Sequence, residues 1–532
     1  MKILAATQGA SLQIMLGLSE AIHKQIPHEL SLIVSDSAEY IDMLHNDDHS
    51  ERLDKSDVLK EWELFDASRS HDSSEKETTY WEELIKEPLM WTLFADRHLA
   101  QGKYNKVTQK YSPRLPDDRM IQIISYGYKA IDEFFYLQSP DLVLSFGITT
   151  YCDYIAKKIA EKHEVPFYII NSGKIGSNIN LIKNPAEWPF SVWTDFKKTS
   201  HLLDCDSIPL ECVNRAQNYV QKIQENGFSC EYGETATSAQ KFEWIKAFKS
   251  VAIGAAQALQ KGRDPIISGD HYIDGYFRTA VYREVIHPWR SWRVSEYLRE
   301  RYIDPENLPG GHRRIFYPLY FEPESCLYTH GLRFQNQIET IRMLAGSSPA
   351  DCEILVKEHP KSNGFRPLSY YKKLLQIPGV RLVPPNMPSN QAIALCNAAA
   401  VVAGAIGLEA AILGKPVLIL GRPPYRHLGK PHFHVNKNPW KLHRTIEAIL
   451  DPTTSDAIRR AGEEVFIRLL SIVLEDSCPA DLNALFIEKS GRQIADMFGE
   501  KMTRRQQLEG LIVYLKSKFT EIEEKKVEEK VA

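Results

Sequence analysis

Short apolar runs alternate with helical patterns at the start of the chain. Ile3 to Ala6 and Leu30 to Val34 are apolar enough, and short enough, to predict two strands. Between them Met15, Leu18 and Ile22 recur at the spacing of one helix face, and a Ser can cap that helix. The pattern predicts that the chain opens with a strand, a helix and a second strand.

The same alternation returns after a long interruption. Asp141 to Ser145 and Val165 to Ile170 predict strands, and Cys152, Ile155 and Ile159 mark the helix between them. A strand, helix and strand of this length predict a parallel pair with a right-handed crossover.

A second α/β stretch occupies the later half of the chain. Predicted strands alternate there with helices, at Arg314 to Tyr320, Glu353 to Lys357, Val380 to Val383, Ala399 to Ala403 and Pro416 to Leu420. This alternation predicts an α/β protein with two Rossmann-like, doubly wound domains. We expect an N-terminal domain over 1–305, a C-terminal domain over 306–480, and C-terminal helices over 481–532 that cross back to the first domain.

Two segments of the first domain break the α/β alternation. Residues 38–135 predict a mostly helical insertion whose aromatic residues form a satellite core, and residues 212–298 also predict helices. The expected packing residues of the second segment are aromatic, namely Trp244, Phe248, Tyr276, Tyr282, Trp289 and Trp292.

Composition excludes several classes of protein. The 532 residues are 43% hydrophobic and 25% charged with a net charge of −4, so no global basic field favours nucleic acid. No apolar run approaches the roughly 20 residues of a membrane span. The N-terminus lacks the apolar core of a signal peptide, and the eight cysteines form no Cys-x-x-Cys. We therefore expect reduced thiols and a cytoplasmic location, and peripheral contact with a membrane stays open.

The loops after the strands of the first domain are expected to meet at one sheet edge. They carry Gln8, Gly9, Gly147, Ser172, Gly173 and Lys174. Carboxyl ends of parallel strands line the ligand crevice of open α/β sheets, so these residues are candidates for contact with an acceptor substrate. An ordinary strand-to-helix turn at Gly9 and a solvated Lys174 are the competing interpretations.

The second domain offers a stronger candidate for binding an anion. The turn Gly404-Ala405-Ile406-Gly407 follows a predicted strand and precedes a helix predicted to open at Leu408. Unpaired N–H groups and the helix dipole stabilise a phosphate at such a helix start. Another strand ends in Lys357-Glu358-His359-Pro360, and His359 can donate a hydrogen bond or a proton to the same phosphate. The competing interpretation of the His-Pro pair is a plain turn.

Five short motifs occur in order over roughly residues 314–428. They are Tyr317-Pro318-Leu319 with Pro323-Glu324-Ser325, Val356-Lys357-Glu358-His359-Pro360, Gly404-x-x-Gly407-Leu408-Glu409-Ala410, Gly414-Lys415-Pro416-Val417, and Gly421-x-x-x-Tyr425. This series resembles the capsule polysaccharide synthesis family. The resemblance implies a GT-B-like fold, in which two Rossmann-like domains face each other across a cleft. It also implies a retaining glycosyltransferase that uses CMP-linked Kdo (3-deoxy-manno-octulosonic acid) as donor.

Individual roles follow only from the resemblance. It implies that His359 contacts the nucleotide phosphate and that Glu409 lies near the ribose or base. The family's nucleophilic aspartate and its glutamine align with Glu324 and Tyr320, and both residues depart from the pattern. Arg422 and Tyr425, after the last strand, are candidates for contact with phosphate or base.

Three functions compete at this point. The first is a metal-independent glycosyltransferase of capsule or other surface polysaccharide, whose partners are a nucleotide-sugar donor and a glycan or glycolipid acceptor, with no other cofactor. The second is a non-catalytic nucleotide- or glycan-binding component of a polysaccharide assembly system. The third is a polyol-phosphate transferase of the teichoic-acid kind, disfavoured by the glycine turn at Gly404. His432-Phe433-His434 lacks further ligands nearby, so no metal site is expected.

Overall fold

The structure is a computed structural model that forms two compact units. One unit comprises Met1–Asp96, Pro116–Tyr219 and Ile467–Ala532, and the other comprises Arg97–Leu115 and Val220–Phe466. The structure describes residues 1–532 except 9–10, 25, 47–52, 54–55, 72–73, 97–98, 100–114, 174, 176–177, 199–207, 227–243, 261–275, 323–324, 360–361, 363–364, 481–484, 486–492, 496–500 and 532.

Helices and strands alternate through much of both units. The strands are β1 Lys2–Thr7, β2 Glu29–Val34, β3 Asp57–Lys60, β4 Leu142–Ser145, β5 Phe167–Ser172, β6 Asn178–Ile182, β7 Arg313–Pro318, β8 Cys352–Lys357, β9 Val380–Val383, β10 Ala398–Val401, β11 Val417–Ile419, β12 Phe433–Val435, β13 Cys478–Pro479, β14 Gln493–Ala495 and β15 Lys501–Thr503. The helices are α1 Ser11–His23, α2 Ser37–Asn46, α3 Glu61–Ala67, α4 Glu75–Ile85, α5 Leu89–Ala95, α6 Asp117–Gln138, α7 Tyr151–Lys162, α8 Phe190–Lys198, α9 Leu210–Asn226, α10 Trp244–Gln260, α11 Tyr276–Val281, α12 His287–Leu298, α13 Ser325–Tyr328, α14 Gln337–Ser347, α15 Leu368–Leu375, α16 Ser389–Ala394, α17 Ala405–Ile412, α18 Leu442–Leu450, α19 Pro452–Ala461, α20 Glu464–Glu475 and α21 Arg504–Val531.

The first unit is built on a sheet with the order β13-β6-β5-β4-β1-β2-β3. Strands β1 to β5 run parallel, whereas β6 and β13 are antiparallel to their neighbours. Ala5 of β1 pairs with Leu32 on one side and Leu144 on the other, and all three are buried. Strand order reverses between β1 and β4, which is where open α/β sheets form a ligand crevice.

The second unit is built on a fully parallel sheet with the order β12-β11-β10-β7-β8-β9. Its strands read 6-5-4-1-2-3 in chain order, the arrangement of a dinucleotide-binding sheet. The central strands are continuous apolar runs, because helices cover both faces of a parallel sheet. The predicted α/β fold with two Rossmann-like, doubly wound sheets is confirmed. The second switch point lies between β7 and β10.

The helical insertion is not wholly helical. Within 38–135 the strand β3 adds a parallel edge to the first sheet, with Ser31 paired to Asp57 and Val34 to Lys60. Sequence patterning missed this strand because its residues are exposed or only partly buried, so it carries no apolar run. The expectation of a satellite core holds for Trp81, which is buried and stacks on Tyr128 at 5.4 Å between ring centroids.

The second compact unit begins well before the predicted boundary at 305–306. Val294 and Leu298 of α12 are buried in the same cluster as Ile315 and Tyr317 of β7. The Pro- and Gly-rich stretch at 303–311 therefore lies inside this unit, because the helix before it packs on the second sheet.

The C-terminal segment is not all helix as predicted. Residues 493–503 include the antiparallel pair β14 and β15, whose residues alternate polar and apolar at the period of a strand. The long helix α21 belongs to the first unit, where Leu511, Leu515 and Phe519 are fully buried at helical spacing beside residues of β1 and β2.

We expect Phe519→Ala to destabilise the first unit by about 3–5 kcal/mol, because the substitution leaves a cavity at a position that is 0% exposed. Val513→Ala is the matched control, since Val513 of the same helix is 68% exposed and its truncation should cost less than about 0.5 kcal/mol. Urea unfolding of the full chain, followed by circular dichroism, measures both. Equal losses for the two variants would contradict the packing of α21.

Candidate functional site

Three loops meet at the switch point of the second sheet. Strand β7 pairs in parallel with β8 on one side and β10 on the other, so their carboxyl ends share one edge. The loop after β7 carries Tyr320 and Glu322, the loop after β8 carries Glu358 and His359, and β10 leads to Gly404.

A buried arginine joins two of these loops. Arg366 is 1% exposed and its guanidinium pairs with Glu358 and, at 3.4 Å, with Glu322. It also donates a hydrogen bond to the carbonyl of Tyr320 and lies over the Tyr370 ring at 5.0 Å. A charge buried this deeply has to be balanced by acceptors, and the terminal nitrogens of Arg366 find them in the loops after β7 and β8.

Neighbouring helices complete the network around these two carboxylates. The hydroxyl of Tyr371 donates to Oε2 of Glu358 at 2.7 Å, and Nε2 of Gln337 donates to Oε1 of Glu322. Oε1 of Gln337 accepts from the backbone N–H of Tyr320 at 2.7 Å. Burial, followed by the charge of Glu358, raises the pKa of Tyr371 well above its usual value, so its hydroxyl stays a donor. Helix α14 is thereby fixed to the loop after β7, and helix α15 to the loop after β8.

The network positions His359. The backbone N–H of His359 donates to Oε1 of Glu358 at 2.7 Å, and its half-buried imidazole lies 5.8 Å from the Phe321 ring. His359 is thus fixed through its backbone at the carboxyl end of β8. Glu324 and Pro360 lie outside the described residues, so their predicted roles stay predictions.

Lys357 is directed away from His359. Its side chain is buried and its ammonium donates to the carbonyl of Pro385, at 3.5 Å, in the loop after β9. Burial lowers the pKa of Lys357. The ammonium lies at the same sheet edge as His359, one strand further along.

The glycine turn is shorter than predicted. Helix α17 begins at Ala405, so Gly407 lies in its first turn, and the N–H of Gly407 donates to the carbonyl of Gly404 at 3.3 Å. Gly404 is the extended N-cap and offers no side chain to the helix. The N–H groups of Ala405 and Ile406 lie where a helix supplies no carbonyl partner of its own, which suits an anionic ligand.

Tyr425 explains why position 407 is a glycine. A Cβ atom at Gly407 would lie 2.3 Å from the Tyr425 hydroxyl oxygen. The hydroxyl of Tyr425 donates to the carbonyl of Gly404 at 2.5 Å, and the side chain is 2% exposed. Tyr425 is therefore a buried residue that supports the glycine turn, a role that the sequence did not predict.

The side chain of Tyr320 occupies two backbone hydrogen-bond donors of the crevice. Its hydroxyl oxygen accepts from the backbone N–H groups of Val402 at 2.9 Å and Ala403 at 3.2 Å. A Cβ atom at Gly404 would lie 3.0 Å from its ring. The tyrosine that departs from the family's glutamine thus closes the part of the turn nearest β10.

Glu409 is buried in the helix that follows the turn. It is 3% exposed, and burial raises the pKa of its carboxyl to about 8. At neutral pH the carboxyl is therefore mostly protonated and can donate a hydrogen bond. Arg422, by contrast, is exposed, and its backbone N–H donates to the carbonyl of His330 at 3.1 Å.

The first unit gathers its own predicted crevice residues. Oγ1 of Thr149 donates to Oε1 of Gln8, which joins the loops after β1 and β4, and Gly147 adopts φ +155° in the second of these loops. Ser172 lies within β5, two residues beyond the predicted strand end, and the N–H of Gly173 donates to the carbonyl of Asn178 at 2.9 Å. Gly9 and Lys174 lie outside the described residues.

His434 lies in strand β12, whereas His432 lies in the turn that precedes this strand. Nε2 of His434 lies 3.0 Å from the carbonyl oxygen of Pro431, and burial lowers the pKa of His432 to about 4. Across the described part of the chain, no three His, Cys, Asp or Glu residues are grouped to hold a metal ion.

Arg366 and Gln337 are the residues of this site that sequence reasoning missed. Arg366 lies in an irregular segment before Pro367, where no periodicity points to it. The one clue was chemical: two acidic residues, Glu322 and Glu358, follow buried strands and need a cation if they are buried.

Residues 249–446 match the model of the family described as "Capsule polysaccharide biosynthesis protein". The match contains all six strands of the second sheet and the loops that follow β7, β8 and β10. The resemblance predicted from the motifs is thereby confirmed for this segment. A search of curated proteins finds no significant match.

Solved structures with a similar fold share little sequence with this chain. KpsC of Thermosulfurimonas dismutans, a β-Kdo 2,4 transferase, is 11% identical with a TM-score of 0.27 and covers 70% of this chain and 88% of that chain. The UDP-GlcNAc 2-epimerase of Neisseria meningitidis bound to UDP-GlcNAc is 12% identical with a TM-score of 0.24, and the match covers 90% of this chain and 99% of that chain. A glycosyltransferase of Rickettsia africae is 9% identical with a TM-score of 0.26, and the match covers 92% of this chain and 99% of that chain. Scores this low establish neither activity nor ligand.

We expect Arg366→Met to destabilise the second unit by about 3–5 kcal/mol, because it leaves Glu322 and Glu358 buried without their cation. Arg381→Met is the control: Arg381 also pairs with a glutamate, Glu353, but its side chain is 59% exposed, so about 0–1 kcal/mol should be lost. Urea unfolding measures both losses. A small loss in Arg366→Met would show that the network does not hold the loops.

We expect Glu409→Gln to weaken the pH dependence of stability between about pH 6.5 and pH 8. The pKa of Glu409 is raised from 4.5 to about 8, so the folded state keeps a proton that the unfolded state has lost. Stability therefore falls as pH rises through this window, by up to about 1.4 kcal/mol per pH unit. His432, with its lowered pKa, acts only below about pH 6.5. Thermal unfolding across the window tests this, and parallel curves for wild type and variant would contradict it.

Proposed function

We propose that this chain is a glycosyltransferase of capsule or surface polysaccharide biosynthesis that takes its sugar from a nucleotide-activated donor. The observation that carries the proposal is that the family match spans a dinucleotide-type sheet whose switch point ends in an uncapped helix start. Such a site favours the phosphate of a nucleotide.

The donor phosphate is assigned to the start of α17. The N–H groups of Ala405 and Ile406 face the departing phosphate, and His359 donates to it from the loop after β8. Arg422, exposed after β11, adds positive charge. The carboxyl of Glu409, mostly protonated at neutral pH, is the group that the family resemblance places near a ribose or base.

The reaction exchanges one bond at the anomeric carbon for another. The bond from this carbon to the phosphate oxygen breaks, and its electron pair leaves with the nucleotide. The acceptor hydroxyl oxygen forms the new glycosidic bond and its proton passes to a base. Glu324 is the candidate carboxylate for stabilising the oxocarbenium character or forming a covalent intermediate. CMP-linked Kdo is the donor that the family resemblance favours, and a glycan or glycolipid is the acceptor, met at the cytoplasmic face of a membrane.

A second function is favoured by Tyr320. Its hydroxyl occupies two backbone donors of the crevice, at Val402 and Ala403, which a catalytic site would leave to its ligand. A non-catalytic protein that binds nucleotide or glycan within an assembly system accommodates this arrangement. The polyol-phosphate alternative has no comparable observation in its favour.

We expect CMP and CMP-sugars, among cytidine, uridine and guanosine nucleotides and their sugars, to raise the melting temperature of the wild type. A ligand at 100 times its Kd adds about 2.7 kcal/mol. The shift should shrink in His359→Ala and persist in His443→Ala, which removes an exposed histidine of α18 in the same unit.

The outcomes separate the candidates. Shifts with uridine or guanosine compounds would keep the transferase and discard the CMP-linked donor, whereas no shift from any nucleotide would discard the proposal. In Glu324→Gln, a retained shift with lost nucleotide release from the donor supports catalysis. The non-catalytic protein is favoured if the wild type binds nucleotide-sugars but releases no nucleotide from them with any acceptor preparation.

A further inference from the structure

Helix α10 turns its apolar residues outward. Ile245, Phe248 and Leu259 are 75%, 77% and 86% exposed, and Ala252 and Ala256 between them are exposed as well. These five positions fall within an arc of roughly 80° at about 100° per residue. A helix on a globular protein normally buries such a stripe, so this face is a candidate for binding a partner outside the unit.

The opposite face of α10 packs inside the unit. Gly254 is buried there, and Ser250 accepts a hydrogen bond at 3.1 Å from Arg283 in the segment that precedes α12. The helix is therefore already packed on its own unit through its small residues. The exposed stripe is not a core face waiting for the same neighbours.

Positive charge accompanies the exposed stripe. Helix α10 contains two lysines, one of them the exposed Lys249, and no acidic residue. An apolar stripe beside the exposed Lys249 is complementary to a lipid surface with anionic headgroups, where the apolar side chains enter the acyl boundary and the ammonium group stays at headgroup level.

Helix α12 of the same unit exposes two tryptophans of similar character. Trp289 and Trp292 of α12 are 51% and 61% exposed, contrary to the expectation that they pack inside, and Phe248 of α10 departs from it likewise. The guanidinium of Arg293 lies 4.8 Å over the Trp289 ring. Tryptophan with an adjacent cation is typical of the membrane–water interface.

The dimensions fit a helix that lies on a membrane. Helix α10 has 17 residues, about 25 Å of helix. Among the residues that the structure describes, no helix is long and apolar enough to span a bilayer.

We propose that the outward stripe of α10, with Trp289 and Trp292 of α12, is an attachment surface for an anionic lipid membrane. The surface binds in the plane of the interface and holds the second unit at the membrane. It stands on exposure and charge, independently of the proposed transferase, although a lipid-linked acceptor would be met at the same place.

Flotation with lipid vesicles tests the attachment. The full chain should float with vesicles of phosphatidylcholine mixed with phosphatidylglycerol, more weakly with phosphatidylcholine alone, and less at high salt. Phe248→Glu combined with Leu259→Glu should weaken vesicle binding about tenfold or more, because the variant loses the free energy of transferring two apolar side chains from water into the lipid. Lys249→Glu should reduce the preference for phosphatidylglycerol.

Trp440→Glu is the matched control, because Trp440 is 91% exposed in the same unit but lies outside α10 and α12. It should float like the wild type, and melting curves of all variants should coincide because every substituted side chain is exposed. The proposal is overturned if the wild type does not float with the vesicles. It is also overturned if the double variant with Phe248→Glu and Leu259→Glu floats as well as the wild type. If light scattering instead shows a wild-type dimer that this double variant dissociates, and no vesicles are bound, the face belongs to a second copy of the chain.

Discussion

The burial of one positive charge organises the second domain. Arg366 is inaccessible to water, so its guanidinium must be balanced by groups that the fold brings to it. Those groups come from the ends of β7 and β8, and the arginine thereby converts two independent loops into one rigid edge. His359 belongs to that edge because its backbone is bonded to Glu358, the carboxylate that holds the arginine. The position of the candidate donor to phosphate thus depends on an ion pair that touches no ligand.

The crevice beside this edge is shaped by two tyrosines. Tyr425 holds the carbonyl of Gly404 and leaves space only for a glycine at 407, whereas Tyr320 closes the N–H groups of Val402 and Ala403. What stays open to an anion is the very start of α17. The site is accordingly smaller than the glycine pattern suggested, and its binding energy has to come from few donors at half-buried positions, where each is stronger than in water.

Much of the fold was predictable because its cause is periodic. Buried parallel strands are apolar runs, so β8 and β9 were found to within a residue, whereas β3 at the exposed edge gave no run to find. The candidate site divides in the same way. His359 and the glycine turn follow strand ends and could be predicted, but Arg366 and the hydroxyl of Tyr320 act through partners far away in sequence. Only the folded chain brings those partners within reach.

Helix α10 shows why a helical pattern alone does not tell which face is inside. Its apolar stripe has the spacing of an ordinary core helix, and burial of Phe248 was the natural prediction. The opposite face, with Gly254 and Ser250, is made of small residues that let the helix approach its own unit closely. Small residues give little hydrophobic stabilisation, so the larger apolar side chains gain most by leaving water on the other side. A lipid surface with anionic headgroups removes them from water and still solvates the exposed Lys249, which is why charge and exposure together favour this partner.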